Sequence, residues 1–313
     1  MNMAAILLLA MIIEVAVGWP EWLHRRIGHP VTWIGRFISF LDRRYNRADT
    51  PDRLRRFYGM VAAICAIGLV GFAGWIMAHL LPNGLWGVLI GGVIAWPLLA
   101  TRSMYEHVAA VARPLASDDI GKAREAVAMI VGREPDRLEP AAISRAALES
   151  LAENTSDGIV APVFWGLLLG LPGIAGYKAV NTLDSMIGHR TPRHEAFGWA
   201  AARIDDIANF LPARLTGGMF CIISSRFRAA FACMLRDGRQ HRSPNAGWPE
   251  AALAGALNVR LSGPRAYAAG VSDEPWLNFA ARDAEAMDLE RGLALFVRTM
   301  LLLAGMLALL AMI

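Results

Sequence analysis

Cysteine is sparse in this chain, and its placement excludes two structural classes. The three cysteines, Cys65, Cys221 and Cys233, lie in or beside apolar segments, and no CxxC pair occurs. Neither a disulfide framework nor a zinc site fits that pattern. Charge is also sparse. Charged residues make up 19% of the 313 positions, against roughly a quarter in soluble domains. The net charge of +4 is modest. Arginine dominates the bases and sits in loops between apolar blocks, which is the pattern of membrane topology rather than of a nucleic-acid-binding face. GxxxxGK[ST], GxSxG and HExxH are absent, and Gly121-Lys122 lacks the context of a phosphate-binding loop. Internal repeats and low-complexity linkers are missing too.

What is present is apolar and blocked. Hydrophobic residues reach 55%, with a mean hydropathy of +0.38. These blocks predict an all-α polytopic integral membrane protein. It would hold about four or five transmembrane helices, a re-entrant or broken helical hairpin, and cytoplasmic amphipathic helices. We read residues 1–313 as a single membrane-embedded domain, with cytoplasmic loops at about 19–57, 102–157 and 226–292.

Ala4 to Trp19 is apolar apart from Glu14. It lacks a basic n-region and a clear cleavage site, so it reads as a retained helix, short of the ~20 residues of a full span. The arginine-rich stretch from Trp19 to Phe57 belongs in the cytoplasm, which puts the N-terminus outside. Within it, HPVTWIGRFISFLDRRYNR reads as an amphipathic helix with Trp33, Phe37, Phe40 and Leu41 on one membrane-facing side. Tyr58–Leu80 and Leu85–Ala100, joined by Pro82-Asn83-Gly84, form a pair of spans; no Lys or Arg occurs from Gly59 to Thr101. Pro135 and Pro140 punctuate the soluble region that follows.

From Ile159 to Ile187, Pro172-Gly173 divides the apolar run into two helices of about 13 residues. Each reaches ~20 Å, less than the ~30 Å hydrocarbon core. The expectation is a hairpin that returns to the side it entered. Ile207 to Ser225, broken by Pro212, Arg214 and Gly217-Gly218, reads as another hairpin or an interfacial helix. Leu293 to Ile313 is a last membrane helix.

Three polar clusters border these runs. Glu149, Glu153 and Asp157 recur every four residues, so a helix stacks three like charges on one face, which weakens it unless a cation or water offsets them. With Asn154 between, this surface suits Mg²⁺. Its position against an apolar run also points to function. Asn181, Asp184, Ser185 and His189 share a second helix face, with Lys178 on the same side. Asp205, Asp206 and Asn209 open the next apolar run. Downstream, Ser243, Pro244, Asn245 and Gly247 precede a helix started by Pro249 and Glu250. There, loop amides and Arg239 or Arg242 would cradle an anion. His29, His194 and His241 are isolated histidines with no partner in the pattern.

Five blocks now resemble a known family: HPVTWIG, ALESLAENTSDGIVAPVFW, YKAVNTLDSMIGHR, ARIDDIANFLPARLT and HRSPNAGWPEAALAGAL. They look like the signature blocks of the adenosylcobinamide-phosphate synthase (CobD/CbiB) family of cobalamin biosynthesis, in order from about Glu14 to Tyr267. The resemblance implies an ATP-dependent ligase. It joins adenosylcobyric acid to (R)-1-amino-2-propanol O-phosphate, or to aminopropanol, through an amide bond. It also implies Mg²⁺ and ATP, a corrinoid substrate, membrane lipid as surroundings, and an inner-membrane site facing the cytoplasm. A homo-oligomer or other cobalamin-pathway proteins would be its partners.

On that reading Glu153, Asp157 and Asp184 serve at the reaction centre. Glu149, Glu153, Asp157, Asp184 and Asp205 supply metal ligands. Asn154, Lys178, Asn181, Ser185, His189, Arg190, Arg242, Ser243 and Asn245 bind substrate. Trp33 and Trp165 are stacking surfaces for the corrin. Two other readings compete. One is a Mg²⁺-dependent membrane transferase of polyprenyl or CDP-alcohol type, whose aspartate pattern is incomplete here. The other is a membrane sensor resembling the β-lactamase-induction protein AmpE, which would not need all three acidic clusters.

Overall fold

The computed structural model describes residues 2–130, 138–267, 270–272 and 274–313, with only the backbone described at 265–267 and 270–272. Pro135 lies outside the described residues. Helices α1 (Met3–Val17), α2 (Glu21–Ile27), α3 (Pro30–Tyr45), α4 (Asp52–Leu80), α5 (Leu85–Ala95), α6 (Thr101–Ala116) and α7 (Ile120–Ala128) lead to α8 (Pro140–Thr155) and α9 (Ala161–Leu183). Then come α10 (Trp199–Ala208), α11 (Phe210–Ile223), α12 (Phe227–Asp237), α13 (Gly247–Leu257) and α14 (Ala286–Ala311). Between α13 and α14, β1 (Leu261–Ser262) pairs antiparallel with β4 (Trp276–Leu277), and β2 (Arg265–Tyr267) with β3 (Gly270–Ser272). The fold is all-α. Four helical stretches are long and apolar enough to cross a membrane: 52–80, 85–116, 140–188 and 286–311. A fifth candidate is Met3–Val17 with Glu21–Tyr45, bent by 109°.

The chain forms two compact units that interleave in sequence. The first comprises Met1–Ala100, Ala161–Asn209 and Leu307–Ile313. Its centre is α9 packed on α4. The α4 face is built of small residues. A Cβ on Gly59 would lie 1.8 Å from the Phe197 carbonyl oxygen, and one on Gly74 would lie 2.7 Å from that of Leu171. Such residues allow backbones to approach closely where lipid offers no hydrophobic drive. Helix α5 packs on α1, where side chains at Gly91 and Gly92 would strike Ile6 and Leu9. The Asn2 side-chain amide donates to the Ala311 carbonyl at 2.7 Å.

Helix α9 folds back on itself. Gly170 leaves helical geometry with φ +71° and ψ −155°, a region open to glycine. In a straight helix Trp165 and Gly173 would stand ~12 Å apart. Here a Cβ at Gly173 would lie 2.1 Å from the Trp165 carbonyl oxygen. Ala161 and Trp165 on one limb share an apolar cluster with Tyr177 and Val180 on the other. The hairpin expected from Pro172-Gly173 exists, with its break two residues earlier. Pro172 sits at the start of the returning limb, where its missing N–H costs no helical bond.

Helix α3 is capped by His29, whose Nδ1 accepts from the Val31 amide at 3.2 Å, while Thr32 Oγ1 accepts from the His29 amide. The expected face of α3 is corrected. Leu41 turns inward with Ile34 and Ile38 onto Ala62, Ala63 and Leu183, while Trp33 and Phe40 stay exposed. The two sets lie about 100° apart on the helix, so they cannot share a side.

The second unit comprises Thr101–Val160 and Phe210–Met306. Its core is α13, buried along its whole length by α8, α11 and α12. Gly255 permits that approach, since a Cβ there would lie 2.7 Å from the Ala230 Cα. Helix α11 has 14 residues, too few for a span.

Candidate functional site

In the first unit the returning limb of the hairpin ends in a π-helical turn, Asp184–Gly188. Such turns are rare, and they concentrate at functional positions because they re-aim side chains. Asp184 opens the turn and Gly188 closes it. A Cβ on Gly188 would lie 1.9 Å from Asp184 Oδ1, so the carboxylate occupies space that only glycine leaves open. His189 and Asp206 are the charges that act on Asp184. Lys178, buried one and a half turns earlier, lies within electrostatic reach of His29. Ser185 Oγ donates to the Asn181 carbonyl at 2.8 Å. His189 and Arg190 are exposed.

Asp205 and Asp206 diverge. Asp205 Oδ2 accepts from Asn209 Nδ2 at 3.0 Å, and Asn209 Oδ1 accepts from the Tyr177 hydroxyl at 2.7 Å. Asp206 Oδ2 accepts from Arg203 at 2.8 Å. Burial raises the Asp206 carboxyl above its usual range, against the opposing pull of Arg203 and Arg190. Trp165 donates its indole N–H to the Ala208 carbonyl at 3.1 Å.

The loop beyond the π turn is clamped by residues the sequence did not single out. Asp42 accepts from Arg193 at 2.6 and 3.2 Å and from Asn46 at 2.7 Å, with His194 Nε2 at 3.5 Å. The buried Arg55 donates to Asn46 Oδ1 at 2.9 Å and to the Arg193 carbonyl. Asn46 Nδ2 donates to that same carbonyl at 3.0 Å. Two close backbone approaches complete the clamp: Gly59 against Phe197, and Gly198 against Ile187. The sequence signal was there, in the polar residues ending α3 and in the isolated His194. Its partners stand about 150 residues away.

In the second unit α8 also passes into a π-helical turn, Ser156–Val160, which carries Asp157. The carboxylate ladder divides there. Glu149 is buried, and its Oε1 accepts from the Ser262 amide at 2.7 Å, with Arg145 Nε at 4.0 Å. Glu153 and Asn154 are exposed and Asp157 is half-buried. Asn154 Nδ2 donates to the Ser150 carbonyl at 3.0 Å. The drift of ~40° per four residues on a helix turns Glu149 inward while Glu153 faces out. Arg145 and Arg260 both lie over Trp276, and Arg260 grips Asp283 through two bonds of 2.7 Å.

The loop before α13 is ordered from within. Ser243 Oγ accepts from the Asn245 and Ala246 amides at 3.3 and 3.2 Å, and His241 Nδ1 accepts from the Ser243 amide at 3.1 Å. Those amides are therefore committed. Asn245 Oδ1 accepts from Arg214 at 3.3 Å. Arg242 faces Glu274 at 3.7 Å.

Among the described residues, no three of His, Cys, Asp and Glu converge as a metal-binding group.

Comparison with known proteins agrees with the resemblance of the blocks. The chain matches the family described as "CobD/Cbib protein" over residues 7–296. It is 59% identical to the "Cobalamin biosynthesis protein CobD" of Rhodobacter capsulatus, over 98% of this chain and 96% of that one. The protein of the same name from Brucella suis is 47% identical, over 96% and 94% of the two chains. That from a Sinorhizobium species is 44% identical, over 98% of both. No solved structure matches the chain. With the family matched across nearly its whole length and relatives this similar, the chain belongs to the CobD/CbiB family.

Proposed function

We propose that this protein acts in cobalamin biosynthesis as adenosylcobinamide-phosphate synthase. It would join adenosylcobyric acid to (R)-1-amino-2-propanol O-phosphate, or to aminopropanol, at the expense of ATP. The observation that carries this reading is the pair of acid-bearing π turns, Ser156–Val160 with Asp157 and Asp184–Gly188 with Asp184. One directly precedes the hairpin in sequence and the other closes it. Relatives named for cobalamin biosynthesis supply the substrate class, and they do not favour the transferase or sensor readings.

The chemistry needs an activated carboxylate. A propionate oxygen of the corrinoid attacks the γ-phosphorus of ATP and ADP departs, leaving an acyl phosphate. The amine nitrogen then attacks the acyl carbon, phosphate leaves, and the nitrogen gives up a proton. Bound Mg²⁺ would neutralise phosphate charge. It usually takes one or two carboxylates and keeps waters and phosphates for the rest, so Asp184 with Asp206, or Glu153 with Asp157, fits better than a cage. Lys178, His189, Arg190 and Arg242 would meet anionic groups, and Asn154, Asn181, Ser185, Ser243 and Asn245 would orient substrate. The reaction would take place at the cytoplasmic face of the inner membrane, a placement that the basic loops support. Lipid would surround the apolar helices, and a second copy or other pathway proteins would be the partners.

Purified protein in detergent, given adenosylcobyric acid, aminopropanol phosphate and MgATP, should yield adenosylcobinamide phosphate with matching ADP by mass spectrometry. AMP in place of ADP would replace the acyl phosphate by an adenylate. No product, together with failure to rescue a cobalamin auxotroph, would overturn the reading.

A further inference from the structure

Helix α11 reads FLPARLTGGMFCII, and Arg214 is its one charge. A lone ionised group in an apolar helix is costly to bury unless partners offset its desolvation. Its guanidinium is held between two rings, 3.6 Å from the Phe210 centroid and 4.4 Å from that of Trp248. The loop before α13 fixes it further. Arg214 donates to the Phe210 carbonyl, to Asn245 Oδ1 at 3.3 Å and to the Pro244 carbonyl at 3.5 Å. Trp248, itself buried, donates its indole N–H to the same Pro244 carbonyl at 3.1 Å.

A second guanidinium shares this ring. Arg239 lies 5.8 Å from the Trp248 centroid, and it is the charge that acts on Arg214. The acids of this region are engaged elsewhere. Asp237 is gripped by Arg236 at 2.6 and 2.7 Å, Glu274 faces Arg242, and Glu250 faces His241. Two like charges beside one buried ring repel each other, more strongly where water is excluded. A divalent anion removes that repulsion. A phosphate monoester carries close to two negative charges at neutral pH, and its oxygens suit the guanidinium fork. A single carboxylate would leave one cation unmatched.

We propose that Arg214 and Arg239, set against Trp248, form a binding site for a phosphoryl group. Arg214 is the fixed, pre-oriented donor. Arg239, exposed on its loop, closes on the ligand. Identifying that ligand as the amino-alcohol phosphate rests on the ligase reading; the phosphoryl site itself rests on the geometry.

The test is a calorimetric titration of the full-length protein in detergent with inorganic phosphate. Wild type should bind. Arg239→Gln should bind about tenfold more weakly, and Arg239→Lys should recover part of the loss, with unchanged melting temperature in both. Competition then assigns the source. Aminopropanol phosphate displacing phosphate where aminopropanol does not would identify the amine substrate, and ATP alone displacing it would identify the nucleotide. Loss of phosphate binding in nanodiscs containing phosphatidylglycerol, but not in phosphatidylcholine alone, would identify a lipid headgroup. No phosphate binding by wild type, or equal binding by Arg239→Gln, would overturn the site. Phosphate binding that depends on Arg239 in a protein without ligase activity would sink the ligase reading and leave the site standing. Ligation with KM for the amine phosphate unchanged in Arg239→Gln, and phosphate binding unchanged, would sink the site alone.

Discussion

On the ligase reading, replacing Gly188 with alanine should damage amide formation far more than folding. The added methyl would lie 1.9 Å from Asp184 Oδ1 and 2.8 Å from its Cγ. Ordinary carbon–oxygen contact begins near 3.4 Å, so the carboxylate must retreat by roughly 1.5 Å. The side chain is flexible, and leaving its rotamer costs only about 1 kcal/mol. The loss of unfolded-state entropy on replacing glycine offsets part of that. A displacement of about 1 Å at a reacting group, by contrast, costs on the order of 100-fold in rate. Gly188→Ala should therefore melt within a few degrees of wild type while kcat for amide formation falls about 100-fold. Gly198→Ala is the control. Its methyl would lie 1.6 Å from the Ile187 carbonyl oxygen and 2.6 Å from the carbonyl carbon. That neighbour is backbone and cannot rotate away, so overpacking should cost about 3 kcal/mol or more and appear first in the melt. A Gly188→Ala enzyme with kcat within about threefold of wild type would refute the claim that this glycine sets the position of Asp184.

Three further outcomes follow from the same structure. Arg55→Ala strands Asn46 Oδ1 and leaves the Arg193 carbonyl with the Asn46 amide alone, and it should cost about 2–4 kcal/mol; an unchanged denaturation midpoint would show that the clamp is not structural. Glu149→Gln weakens the buried bond to the Ser262 amide and should cost about 1–3 kcal/mol. On the Mg²⁺-dependent ligase reading, it should leave the metal dependence unchanged, and a shifted dependence would support Glu149 as a metal ligand. Burial raises the Asp237 carboxyl, but bonds from Arg236, the Asn278 amide and Cys233 outweigh it and hold the group below the usual range. Its folded value is thus below its unfolded value of about 4. The stabilisation is complete above that pH and disappears as pH falls through the folded value. Asp237→Asn should flatten the acid limb of stability below about pH 4, and identical acid limbs would refute this.

The hairpin was legible because its cause is local. Two apolar runs too short to span, separated by Pro172-Gly173, have few other solutions. Only the break point moved, to Gly170, where the positive φ sits. Family membership was legible in five ordered blocks. The π turns were not, since one extra residue per turn is a property of the backbone that leaves no mark in side-chain periodicity. Nor could a four-residue repeat show that Glu149 is buried against Ser262 while Glu153 faces out, because that depends on which side of α8 meets α13 and β1. Nor does the sequence separate the two adjacent acids Asp205 and Asp206. In the structure Asn209, itself held by Tyr177, donates to Asp205, while the charge of Asp206 acts on Asp184. The clamp on Asp42 joins residues far apart in the chain, beyond what periodicity can detect.

The bond from Asn2 to Ala311 sets a parity. A chain whose two ends touch has both on one face of the bilayer, so it crosses an even number of times. The apolar helices allow four or five crossings, and this parity favours four. Four crossings satisfy that parity when the bent pair that starts with α1, α4, the stretch from α5 and α14 each cross once and the doubled-back α9 contributes none. With four, every arginine-rich loop falls in one compartment and both ends fall in the other. Reporters fused to the two ends must then always agree, whichever way the protein inserts.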